Sequence, residues 1–126
     1  MNIETFRELC LKKPGTTEET PFGPDTLVFK VMGKMFALTD LNIFESVNLK
    51  CDPERAVMLR EEHESITPGY HMSKVHWNTV LTDGSVKDAL IRELLDHSYA
   101  LVVASLPKKV QAELREMSRE SFSRDS

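Results

Sequence analysis

The sequence predicts an α+β fold in which an antiparallel sheet of about four strands carries helices packed on one face. Three observations lead there. Apolar residues recur at helical spacing in separate segments, and between them lie short runs that alternate or end at the turn dipeptides Gly33-Lys34 and Asp83-Gly84. The elements also follow the order helix, three strands, helix, strand, two helices. Strands that succeed one another through short turns pair antiparallel, because a parallel crossover needs a dozen or more connecting residues.

Taking the elements in order, residues 3–13 place Ile3, Phe6, Leu9 and Cys10 on one helical face, with Asn2 as N-cap and Pro14-Gly15 as the stop. Residues 16–25 contain Pro21-Phe22-Gly23-Pro24, which cannot continue a helix; a loop is expected, pinned to the core by Phe22. Residues 27–32 and 35–41 then form a hairpin around Gly33-Lys34. In residues 45–50, Val47 and Leu49 alternate with Ser46, Asn48 and Lys50, the pattern of a strand with one buried and one wetter face.

Asp52-Pro53 opens a helix expected to reach residue 64: the carboxylate accepts orphan N–H groups, and proline at the first position loses no needed donor. Ala56, Leu59 and His63 mark its inner face, and Glu61, Glu62 and Glu64 lie mostly on the solvated one. Pro68-Gly69 breaks the chain before Tyr70-His71-Met72, and residues 74–82 read as a strand ending at Asp83-Gly84. Ser85 and Asp88 resemble a capping box for a helix striped by Ala89, Leu90, Leu94, Ser98, Leu101 and Val102. Pro107 starts a last helix carrying Val110, Leu114 and Met117. A single domain is expected over residues 1–117, followed by a polar, serine-rich tail, 118–126, that frays.

At 126 residues, 40% hydrophobic and 29% charged, the chain is large enough to bury one core without disulfides or a structural metal. Its net charge of −4 gives no long-range attraction to a polyanion, so any nucleic-acid contact must come from a local cluster. Cys10 and Cys51 have no metal or redox spacing and read as free thiols used as small apolar core residues. Glu4, Arg7 and Glu8 stand where a signal peptide needs an apolar stretch, and residues 99–106 fall far short of the roughly 20 a membrane helix needs. A cytoplasmic protein without a membrane partner is the expectation.

Nothing nominates a catalytic residue or a cofactor: there is no GxSxG, phosphate loop, HExxH or dinucleotide fingerprint, and neither cysteine has a neighbouring base. His63, His71 and His76 crowd one region, yet His71 and His76 are five apart and point to opposite faces of a continuous strand, so no metal site is assigned. Glu4, Glu8, Glu18 and Glu19 read as solvated surface rather than as an iron site.

The densest group of unusual residues is 68–79. Val47-Asn48-Leu49-Lys50, then the Asp52-Pro53 helix start, Pro68-Gly69-Tyr70-His71-Met72 and His76-Trp77-Asn78-Thr79-Val80 together resemble the MmcQ/YjbR family. Lys13-Pro14-Gly15, Pro21-Phe22-Gly23, Phe29-Lys30-Val31, Phe36-Ala37-Leu38 and Leu106-Pro107-Lys108 support the match in consistent order. Ser73 departs from it, standing where asparagine is expected. The resemblance implies a CyaY-like (frataxin-like) sheet backed by helices, and DNA binding.

If Val47 and Leu49 face the helices, Asn48 and Lys50 face outward, and Lys30, His76 and Asn78 share that surface by alternation, with Trp77 opposite. Lysines bind phosphates, while Asn, His and Trp hydrogen-bond or stack, so Lys30, Lys50, Lys74, His76, Trp77 and Asn78, with Tyr70 and His71, form a candidate DNA contact set. Other readings stay open: an ordinary solvated sheet face, with Trp77 as a half-buried anchor; a protein-interaction or chaperone-like module; or a small-molecule or metal-binding protein. The oligomeric state is not specified.

Overall fold

The computed structural model describes residues 1–69 and 72–125, with side chains through residue 119. It contains α1 (Ile3–Leu11), β1 (Thr16–Glu19), β2 (Thr26–Val31), β3 (Lys34–Asp40), β4 (Ser46–Lys50), α2 (Pro53–Glu62), β5 (Ile66–Pro68), β6 (Trp77–Leu81), α3 (Asp88–Ser105) and α4 (Lys108–Asp125). The strands form one antiparallel sheet in the order β1-β2-β3-β4-β6-β5. The α+β class is as expected, but the sheet has six strands instead of about four. The two additional strands are its edges. β1 is Thr-Thr-Glu-Glu, without an apolar residue to announce it, and β5 has three residues ending in a proline that only an edge position tolerates.

All four helices contribute to one core. Phe6 and Cys10 of α1, Ala56 and Leu59 of α2, Ile91, Leu94, Leu95 and Val102 of α3 and Leu114 of α4 pack with Phe29, Val31, Phe36, Val47, Leu49, Ile66 and Val80 of the sheet. The Phe6 ring meets Phe29 edge-on at 5.9 Å, a preferred aromatic geometry. Both cysteines are free and buried, as small apolar residues.

Local signals explain most boundaries. The Asn2 side chain accepts from Thr5 N at 2.8 Å, and Asp52 accepts from Arg55 N at 3.2 Å. Met32 (φ 49°) and Gly33 (φ 88°) both adopt left-handed backbone between the paired residues Val31 and Lys34, the two-residue turn that matches strand twist. Three expectations are corrected. Phe22 does not pin its loop to the core; it is 64% exposed. Ser85 does not cap α3: its amide and hydroxyl both donate to the Asp83 carboxylate, and Lys87 precedes the helix without a side-chain cap. The last strand starts at Trp77 rather than at 74, because residues 73–76 form a turn in which Ser73 O accepts from both His76 N and Trp77 N.

Ser98 of α3 sits where β3 and β4 part. Its hydroxyl donates to Phe36 O (2.6 Å) and accepts from Lys50 N (2.9 Å), satisfying two strand groups with one helical side chain. The fully buried serine thereby fixes the end of β4, where Lys50 emerges.

Candidate nucleic-acid interface

Strand register decides which side chains face away from the helices. Val28 pairs with Leu38, Leu38 with Asn48, Asn48 with Thr79, and Lys50 with Trp77, so these residues share the outer face; Lys30 joins them opposite Met35. Leu49 pairs with Asn78 on the core side. The alternation expected for β6 is therefore inverted. Trp77 and Thr79 point outward, and Asn78 turns in, buried to 2% exposure, with its Oδ1 accepting from Arg60 Nε at 2.7 Å. Asn78 thus lies out of reach of a ligand on the outer face. His76 is exposed but stands in the turn before β6, where its carbonyl accepts from Cys51 N. Lys74 is exposed in the same turn. Tyr70 and His71 lie outside the described residues.

Much of the unusual 68–79 stretch proves architectural. Arg60 on α2 reaches from Asn78 Oδ1 to the carbonyls of Lys74 and Trp77, tying helix to turn. Gly69 N donates to Trp77 O at 2.8 Å, and a Cβ at Gly69 would lie 2.7 Å from Trp77 Cβ, so no side chain fits there. These contacts seat Trp77, 8% exposed, against Val28 and Leu38 in a small second core on the outer face, with Met35 and Met72 packed beside it. Trp77 is an anchor that presents an edge.

Beside this cluster runs a groove of about 550 Å³ lined by Phe22, Lys30, Lys34, Met35, Lys50 and Trp77, with Val102 and Ser105 of α3 where β3 and β4 separate. Lys30 pairs with Glu19 at 3.5 Å, whereas Lys34 and Lys50 have no ion-pair partner among the described residues. Two lysines without an ion pair among the described residues and a third that has one therefore line the same groove as Phe22 and Trp77. Lys34 and Phe22 are its unforeseen members: a lysine beside a hairpin turn, where Gly33-Lys34 was expected to be the turn itself, carries no signal, and Phe22 was expected inside. On the other side of Phe22 a second groove, about 670 Å³, is lined by Leu38, Asp40, Ile43, Glu45 and Met72 among others, and so has the opposite charge.

Thiol chemistry finds no support in this arrangement. Burial pushes the Cys10 thiol well above its ordinary range, and burial also raises Cys51, outweighing the opposing pull of Arg55. Among the described residues no group of three or more His, Cys, Asp or Glu side chains is placed to hold a metal ion, and no helix is long and apolar enough to cross a membrane.

The YjbR family model matches residues 11–101, which carry the whole sheet, α2 and most of α3. YbdF of Escherichia coli O157:H7 is 40% identical over 113 residues, covering 89% of this chain and 93% of its own length. YjbR of E. coli strain K12 is 34% identical over 110 residues, 86% of this chain and 93% of that protein. The crystal structure of the Deinococcus radiodurans protein DR2400, which carries the domain DUF419, superposes with a TM-score of 0.85 at 43% identity, covering 90% of this chain and 87% of that one. The grooved sheet, the Arg60 clamp and the Gly69–Trp77 contact are thus features of a member of the MmcQ/YjbR family, to which this chain belongs.

Proposed function

We propose that this is a non-enzymatic, cytoplasmic DNA-binding protein that takes its ligand beside the outer sheet face, in the groove where β3 and β4 separate, lined by Lys30, Lys34 and Lys50. One observation carries the reading: three lysines from β2, β3 and β4 line one groove with Phe22 and Trp77 in a molecule that is acidic overall. Such a cluster holds phosphates as point charges, while the net charge of −4 gives the molecule as a whole no long-range attraction to them. Lys74 and His76, exposed at the end of β6 that bears Trp77, extend the contact set; the buried Asn78 leaves it. We also read the fold as CyaY-like, supported by an antiparallel sheet with its helices on one face. Fluorescence anisotropy at low salt with duplex and single-stranded DNA tests the function: binding is expected, weakened by Lys50→Ala and Lys34→Ala. Absence of binding at low salt, or unchanged affinity in both variants, overturns it.

A second reading has its own observation. Phe22 and Ile43, 64% and 58% exposed, flank the acidic groove with Asp40 and Glu45, a surface suited to a protein partner that brings apolar and basic side chains. A partner complex abolished by Ile43→Glu and retained by Lys50→Ala supports this reading over the first.

A further inference from the structure

We propose that the form of nucleic acid taken by the groove is a single strand, with Phe22 as the platform on which a base stacks and Lys30, Lys34 and Lys50 along the path of the backbone. This rests on the nucleic-acid reading above and specifies its ligand. Phe22 lies in the Pro21-Phe22-Gly23-Pro24 loop between β1 and β2, where two prolines restrict the backbone. Its ring packs in neither apolar cluster and is 64% exposed, yet it lines the same recess as the three lysines. An exposed aromatic side chain beside a row of cations is the arrangement that holds unpaired bases, since every base offers a π-face.

The shape of the site points the same way. A duplex keeps its bases stacked and presents groove edges to a protruding helix or ribbon. Here the lysines line an open groove of about 550 Å³, along which a splayed base can lie. Among the described residues the groove also offers few groups for reading base edges. The Ser105 hydroxyl is committed to Val102 O at 2.6 Å, and Trp77 is buried to 8% exposure, leaving the lysine ammonium groups and the Phe22 ring as the principal contacts. Binding is therefore sequence-tolerant.

Anisotropy at low salt with a short single-stranded DNA, its RNA counterpart and a duplex of the same sequence tests this directly. A single strand is expected to bind at least about tenfold more tightly than the duplex, and Phe22→Ala to lose about tenfold on the single strand, with Phe22→Trp restoring it. The DNA and RNA arms tell which backbone is preferred. Phe22 is exposed, so its truncation leaves the fold intact, and the emission of Trp77, the sole tryptophan, reports entry into the groove independently. A duplex bound as tightly as the single strand, or Phe22→Ala indistinguishable from wild type, overturns the inference while the broader reading stands. No binding of any nucleic acid overturns both.

Discussion

Gly69 and Asn78 show what single residues in the 68–79 stretch are for. A methyl group at Gly69 would meet Trp77 Cβ at 2.7 Å and Trp77 O at 3.1 Å, neither of them the movable end of a side chain. Gly69→Ala is expected to destabilise the protein by about 1–3 kcal/mol, the usual range for overpacking, as a lower midpoint in urea. Asn78→Ala removes the acceptor of Arg60 Nε in a buried setting, and a loss of about 1–3 kcal/mol is expected. Because Asn78 points into the core, the folded variant should bind oligonucleotides as wild type does, which anisotropy checks. The stretch stood out in the sequence because tight packing demands unusual residues. That signal does not separate packing from binding: Asn78 looked functional and is structural, while Lys34 and Phe22, which build the groove, looked ordinary. Only the register Lys50↔Trp77 sorted the faces.

Elements with an apolar periodicity or a cap were legible from their residues. α1 with Asn2, α2 with Asp52-Pro53, the β2–β3 hairpin and the Val47/Leu49 alternation of β4 are all present. β1 and β5 were not, because edge strands are specified by the neighbour that they pair with rather than by a buried face of their own. The junction of α2 with α3 also holds a titratable contact. His97 Nε2 accepts from Asp52 N, the residue that caps α2, and burial, with Arg55 second, holds its imidazole below the ordinary value. The unfolded chain then binds the proton more readily than the native one. Stability from this site is complete above about pH 6.5 and is lost as pH falls from there toward the lower native value. Urea midpoints across that window should decline for wild type, and the decline should be shallower for His97→Gln, which keeps an acceptor and does not titrate.

On the scale of the whole molecule, one sheet serves two purposes: its inner face carries the core shared by all four helices, and its outer face carries a small apolar cluster flanked by two grooves of opposite charge. The buried thiols belong to the inner side, so Cys10 and Cys51 should react with a thiol reagent only on unfolding, as absorbance with and without denaturant shows. Under the proposed reading, an acidic protein would hold a polyanion through the lysines of one groove, an attraction that is short-ranged and screened beyond about 10 Å at 0.1 M salt. That confinement makes the salt dependence of binding the most direct test. Wild type should bind single-stranded DNA at low salt, and the slope of log affinity against log salt should fall by about 0.7 for each lysine removed from Lys34 and Lys50. Failure to bind at low salt, or a slope unchanged in Lys34→Ala/Lys50→Ala, contradicts the assignment of the groove.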